Sequence, residues 1–323
     1  MSNAKTPVLV GLAQILQRTD DLDTAKEPLE LMVDAVRDAA EDAGFPELLT
    51  RAGTVRVVRG IWKYEDPGRY VAEQEGCGSA QTAITPFGGN CVQTTMNRTC
   101  LDIQSGKQDI VLVIGAECGR TAARLKKAGK PFPWRETPGT PDLQIGREVP
   151  MAHEAEMVRG IRAPIQMYPI FDNALRYERG ESIPDHLRRI SELWASFSAV
   201  ASENPNAWIR EKKSAAEIAD PNSPGNRAVS FPYPMLMNSN SRVDMGAALI
   251  LTSEETARSL GIPREKWVYP HAGTDAHDHY FVSERPSLCA SPGIRLAGRR
   301  CLELAGVEPE GLAYQDVYSC FPS

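Results

Sequence analysis

The stretch from Pro86 to Glu117 constrains this chain more than any other. It holds a Gly88-Gly89-Asn90 turn, then Val92, Met96, Cys100 and Ile103 at helical spacing, then the unbroken apolar run Ile110-Val111-Leu112-Val113-Ile114. Such a run, bounded by Asp109 and Gly115, predicts a strand buried on both faces. The helical spacing predicts a helix whose inner face is Val92, Met96, Cys100 and Ile103, ended by Ser105 and Gly106. Glycine adopts positive φ without a steric penalty, so Gly88 and Gly89 predict a tight positive-φ turn with its N–H groups aimed into a cleft. An α/β enzyme often presents a nucleophile at the mouth of a helix entered in this way.

The flanking sequence fits that unit. Val8 to Leu12 predicts a first strand. Thr24 and Glu27 predict a capping box for a helix with Leu29, Met32, Val33, Val36, Ala40 and Ala43 on one face. Val55 to Trp62 and Thr82 to Thr85 predict two more strands, with a short helix at 70–74 between them. The alternation of strand and helix implies a largely parallel sheet. From about Arg120 to Asn240 the rhythm breaks. A structureless loop of that length is improbable, so the segment predicts an inserted, mostly helical subdomain, with one strong helix through Leu187, Ile190, Leu193, Trp194, Phe197 and Val200. Ala247 to Thr252 predicts a further buried strand, and Ser253 caps the helix after it. Lys266 to Pro270 opens a second α/β unit. Ser291 and Pro292 start a helix with Ile294, Leu296, Ala297, Cys301, Leu302 and Ala305 inward, and Leu312 to Tyr318 predicts a last strand.

The net charge of −6 over 323 residues leaves no electrostatic footprint for nucleic acid or an anionic membrane. No apolar run reaches the length of a membrane span. The seven scattered cysteines contain no CxxC pair and the N-terminal residues contain no signal-peptide core, which together predict reduced thiols in the cytoplasm.

The 86–117 unit resembles the nucleophile loop, helix and strand of the thiolase superfamily. Two further stretches carry the same resemblance: Val243-Asp244-Met245-Gly246-Ala247-Ala248, and Tyr318-Ser319-Cys320-Phe321. The Gly-Gly-Asn turn, the insert and the Tyr-Ser-Cys-Phe-Pro-Ser segment are most similar to thiolase-like proteins of type 1. The resemblance implies an α/β, layered αβαβα fold with an inserted loop domain. Residues 1–119 plus 241–262 would form the N-terminal half, 120–240 the insert, and 263–323 the start of an incomplete C-terminal half. It implies an acetyl-CoA acetyltransferase-like activity on coenzyme A thioesters or, as the alternative, a non-catalytic acyl-CoA-binding protein or a scaffold subunit; it also implies a homodimer, and either a fragment or a partner chain that completes the C-terminal half.

Thiolase chemistry needs a thiolate, a base and oxyanion donors. By ungapped register the family's nucleophile position falls on Gly89, and Cys91 lies two residues on. Two readings of Cys91 stand open: a thiol activated at a helix N-terminus, or a small side chain packed beside the turn. Tyr318 and Cys320 are the matching candidates at the end of the chain, Gly88, Gly89 and Asn90 the candidate ligand loop, and Asn238 and Ser239 the candidate contacts for the pantetheine arm. His271, His277 and His279 lack the further ligands of a metal site, and none is expected.

Overall fold

The structure is a computed structural model and describes residues 4–323. The chain forms two compact units, Met1–Glu148 with Ser241–Asp275, and Val149–Asn240 with Ala276–Ser323. These joins differ from those set out above, because residues just past 119 are bonded to the sheet of the first unit.

In that unit the elements run β1 (Pro7–Leu16), α1 (Pro28–Asp42), β2 (Thr54–Val57), α2 (Pro67–Gln74), β3 (Gln81–Ile84), α3 (Cys91–Gln104), β4 (Val111–Cys118), α4 (Gly119–Ala128) and β5 (Leu143–Gln144). In the second unit follow α5 (Glu154–Val158), α6 (Pro164–Glu178), α7 (Ile183–Glu203), α8 (Ala215–Ala219), β6 (Ala228–Ser230) and β7 (Tyr233–Pro234). The chain then returns to the first unit for β8 (Asp244–Ser253) and α9 (Glu254–Ser259), and α10 (Pro292–Ala305) lies in the second.

The sheet order is β1-β8-β4-β2-β3-β5. The pairs of β2 with β4, β2 with β3 and β3 with β5 are parallel, as the alternation of strand and helix predicts. The largely parallel expectation fails at β8, which runs antiparallel to both β1 and β4. Val8, Val10, Val55, Val57, Leu112 and Ile114 pack with α1 and α2, while Leu9, Val111, Val113 and Leu251 pack with Ile103 and Met96 of α3. Helices therefore cover both faces of the sheet, the layering that an α/β unit requires. Gly11 allows the close approach of α1 to β1, since a Cβ there would meet the Ala39 carbonyl oxygen at 2.2 Å. The first helix begins at Pro28 rather than Thr24: Glu27 is the N-cap and forms the capping box with Glu30.

Two polar anchors sit inside this apolar frame. Arg56 of β2, 1% exposed, donates to Thr99 Oγ1 at 3.0 Å and to Asp102 Oδ2 at 2.6 Å. Arg98 adds a second donor to the same carboxylate oxygen at 3.0 Å. Burial alone would raise the Asp102 carboxyl, but the hydrogen bonds from Arg56 and Arg98 outweigh it and hold it below the usual carboxylate range. This pair corrects the expected inner face of α3. The buried residues are Cys91, Thr95, Thr99, Asp102 and Ile103, and Val92 is exposed. An arginine buried in the sheet must meet a carboxylate and hydroxyls, so the polar stripe turns inward. The second anchor is Asp244 at the start of β8. Its carboxylate accepts from the N–H groups of Arg120 and Thr121, both at 3.0 Å, and from the Thr121 hydroxyl at 2.6 Å, capping α4 from across the sheet. Gly119 lets the chain pass there, because a Cβ would lie 2.0 Å from the Ser241 carbonyl oxygen.

The second unit is mainly helical. His186 of α7 is buried between Asp172 Oδ2 at 2.8 Å and Glu181 Oε2 at 2.7 Å. Two expectations for the later chain fail. Residues 312–318 form no strand, for want of a neighbouring strand to pair with among the described residues, and Lys266 to Pro270 contributes only an isolated bridge between Leu9 and Val268. The helix at 292–305 is present, yet Ile294 and Leu296, read as inward, are 77% and 63% exposed.

Replacing Arg56 with Met leaves the buried Asp102 carboxylate with Arg98 but without its buried partner, and urea unfolding is expected to show a loss of about 1.5–3 kcal/mol. Adding Asp102→Leu to that variant removes the under-compensated charge and recovers most of the loss. In the native protein the folded Asp102 carboxyl is depressed below its unfolded value of 3.8. Its contribution is therefore complete above that value and is lost as pH falls through the folded one, which a pH series of unfolding midpoints will show as acid destabilisation absent from the double variant.

Candidate functional site

The mouth of α3 is built by β3, the turn after it and the first residue of the helix. Thr85, one residue past β3, donates to the Pro86 carbonyl oxygen at 2.8 Å and accepts from the Arg59 N–H at 3.0 Å, so the chain enters the turn along a fixed line. The Cys91 N–H then closes on the Gly88 carbonyl oxygen at 3.1 Å. The positive-φ turn expected at Gly88-Gly89-Asn90 does not form. Neither glycine is among those with positive φ, and Asn90 is the N-cap in the right-handed region, φ −68° and ψ −19°, without a side-chain cap bond. The three-residue closure onto Gly88 makes the bend with ordinary backbone angles. Gly89 and Asn90 are exposed, and Cys91 is buried.

A polar ladder runs beneath the mouth. Thr95 Oγ1 donates to the Cys91 carbonyl oxygen at 2.7 Å, Thr99 Oγ1 to the Thr95 carbonyl oxygen at 2.8 Å, and Arg56 to Thr99 Oγ1. Cys91 thus stands at the top of a stack whose base is the Arg56–Asp102 pair. Its sulfur lies 3.6 Å from where a Cβ on Gly88 would be. Burial pushes the Cys91 thiol up; a hydrogen bond with Thr85 works the other way, and the carboxylates of Glu148 and Asp275 raise it further. A helix N-terminus favours a thiolate, but here burial and two acidic neighbours win.

In the sequence Asp275 figures only beside His271, His277 and His279 in the metal reading set aside above, and Thr85 and Glu148 are not singled out as site residues. Asp275 accepts from Thr94 Oγ1 at 3.0 Å and Asn97 Nδ2 at 2.8 Å, clamping the 273–275 segment across the first turns of α3. Glu148 pairs with Arg59 at 3.4 Å. No local pattern announces either residue, since one lies 57 and the other 184 positions beyond Cys91 in the chain. At the exit of β4, burial raises the Glu117 carboxyl, opposed by the N–H groups of Ile61 and Cys118. Trp62 Nε1 donates to the Ala116 carbonyl oxygen at 2.9 Å, so the 60–62 loop is tied to the same corner.

The other candidates fall in the second unit. Tyr318 and Cys320 meet, the thiol donating to the phenol oxygen at 3.2 Å. That contact, with burial second, pushes the Tyr318 hydroxyl up to about 12, which makes it a hydrogen-bond donor rather than a base near neutral pH. Phe321 is buried and stacks on Tyr168 at 4.3 Å and on Tyr233 at 5.8 Å, fixing the segment that carries the pair. Asn238 Nδ2 donates to the Pro234 carbonyl oxygen at 2.7 Å, its Oδ1 is buried with no partner among the described residues, and Ser239 is exposed. His277 stacks on Tyr280, and Asp278 caps α10 through Ser291 and the Gly293 N–H. Among the described residues no three His, Cys, Asp or Glu side chains cluster at metal-binding distance, and no helix is long and apolar enough to cross a membrane.

No family model and no curated protein matches the sequence. Solved structures do. A monomeric SCP2-thiolase like protein type 1 from Mycobacterium smegmatis matches all of this chain at 29% identity with a TM-score of 0.81. The chain spans 62% of that protein's length. An Ltp2-ChsH2(DUF35) aldolase matches 94% of the chain at 17% identity and a TM-score of 0.63, over 71% of its own length. Human mitochondrial 3-ketoacyl-CoA thiolase in complex with CoA matches 99% at 16% identity and a TM-score of 0.56, over 80% of its length. The last two likenesses bear on the fold alone.

The raised Cys91 thiol predicts slow alkylation. Peptide mass spectrometry after timed iodoacetamide treatment at pH 8 should find Cys91 modified at least about tenfold more slowly than free cysteine. Its rate should climb only as pH passes the ordinary thiol value of 9.0.

Proposed function

Because the chain belongs to the thiolase superfamily, we propose that it binds acyl-CoA thioesters without running a thiolytic transfer through Cys91. The single observation that carries this reading is the environment of Cys91: a buried thiol, raised by burial and by Glu148 and Asp275, beside an exposed Gly89. A Claisen-type exchange needs a thiolate that attacks the acyl carbonyl and then leaves, and a protonated thiol shut away from solvent gives that step no start. A human mitochondrial 3-ketoacyl-CoA thiolase of like fold was solved with CoA bound, which supports this ligand class. Gly88, Gly89 and Asn90 supply a side-chain-poor rim at the mouth of α3, where a thioester can approach the backbone closely.

A second reading, that a partner polypeptide completes the fold, is favoured by a specific observation. α10 turns Ile294, Leu296 and Leu304 to solvent, and Tyr314, Val317 and Tyr318 beyond it are exposed as well. Apolar side chains left exposed on more than one face of a helix, and on the segment after it, mark a surface open to another chain. A likeness to an assembly of two named components supports the idea at the level of fold.

Calorimetry with acetyl-CoA tests the first reading, and binding in the micromolar range is expected. In a thiolysis assay with acetoacetyl-CoA and free CoA, native protein and Cys91→Ser should show the same background rate. A native rate that Cys91→Ser abolishes would return the protein to the acyltransferases.

A further inference from the structure

The outer edge of β1 carries a cavity that shares no residue with the mouth of α3. One edge of β1 is taken by β8; on the other, Leu9 exchanges two hydrogen bonds with Val268, at 2.8 and 2.9 Å. The chain around Val268, together with α9, walls a cavity of about 620 Å³ lined by Thr6, Glu254, Arg258, Arg264, Tyr269 and His271. A fixed aromatic platform lies against its two arginines. Trp267 is buried and donates through Nε1 to the Ile262 carbonyl oxygen at 3.2 Å. The guanidinium carbons of Arg258 and Arg264 lie 5.4 and 5.2 Å from the Trp267 ring centroid, and that of Arg264 lies 5.6 Å from the centroid of Tyr269.

The charges do not balance. One carboxylate oxygen, Glu254 Oε1, serves both arginines: Arg258 bonds it directly, and Arg264 Nη1 stands off at 3.6 Å. Each guanidinium brings five N–H donors in a planar fork, so donors outnumber the acceptors offered to them. The Tyr269 hydroxyl oxygen is buried and has no hydrogen-bond partner among the described residues. Two stacked guanidiniums on one wall, sharing a single carboxylate oxygen, call for a ligand rich in acceptors and negatively charged. Stacking holds the planes of the arginines, which lowers the entropy lost when they grip an oxyanion.

We propose that this cavity binds a phosphomonoester, with Arg258 and Arg264 taking phosphoryl oxygens. A phosphomonoester brings three terminal oxygens and close to two negative charges to the two guanidiniums, whereas a carboxylate has two oxygens and one charge. The volume leaves room for the organic part of the molecule beside the phosphate. The phosphate can come from a free metabolite or from the 3′-phosphate of coenzyme A. This inference stands apart from the reading of the α3 mouth and survives its failure.

Calorimetry of the full chain at low salt, with glycerol 3-phosphate, inorganic phosphate and acetate as probes, tests it. The two phosphates are expected to bind at millimolar concentration or below, and acetate at least tenfold more weakly. Arg264→Gln should weaken phosphate binding at least tenfold and Arg258→Gln severalfold, each with an unfolding midpoint unchanged from native. Coenzyme A and dephospho-CoA, compared on the native protein and on Arg264→Gln, separate the sources. Loss of the 3′-phosphate and loss of the guanidinium having the same effect assigns the site to the coenzyme; no difference between the two coenzymes assigns it to a free phosphomonoester. Absence of phosphate binding by the native protein, or equal binding by native and Arg264→Gln, overturns the proposal. Should Arg264→Gln fail to fold, Arg258→Gln decides alone: unchanged affinity counts against the site.

Discussion

The candidate site depends on one buried arginine. Arg56 stands in the middle of a parallel strand between Val55 and Val57, where a cation has no water to solvate it. Its only remedy is a partner from the layer above, and α3 supplies Asp102 and Thr99. A buried ion pair contributes little net stability, because desolvation offsets most of the attraction, but breaking it is severe. The pair therefore acts as a registration device. It sets which face of α3 looks down, and with that face come Thr95, Thr99 and the position of Cys91 at the top of the stack.

The return of the chain at β8 is the second constraint. A strand that leaves for a whole second unit and comes back must find its register unaided by a short turn. β8 does so by pairing on both edges and by placing Asp244 against the first amides of α4. A helix begins with donors that have no partners of their own, so a carboxylate supplied by a strand distant in sequence satisfies the helix and fixes the strand together. The small residues Gly119 and Gly246 make room at that crossing and at the face under α1.

Electrostatics then separates this site from a thiolase's. The same helix geometry that can activate a cysteine is present, but the thiol is buried and two carboxylates attend it. In a water-poor pocket those terms grow rather than fade. At the Tyr318–Cys320 contact the hydrogen bond with Cys320 comes first among the causes that raise the Tyr318 hydroxyl.

The sequence alone determined the layered α/β character, the helix at 91–104, the strand at 111–118 and the long helix at 183–203. Each is written in local periodicity: runs buried on both faces, spacing of three and four, a glycine at the exit. The family resemblance rested on those same local stretches, and the likeness to solved structures bears it out. What only tertiary structure decided were the things local pattern cannot carry. Arg56 looks like a solvated break in a valine strand until Asp102 arrives opposite it. Thr95 and Thr99 read as the wet side of a helix whose dry side is Met96 and Cys100. Ile294 and Leu296 read as core, but a helix buries its apolar stripe only where something lies against it. Asp275 and Glu148 reach Cys91 across long chain separations, and the protonation of that thiol is set by how many charges and how little water the fold brings to it.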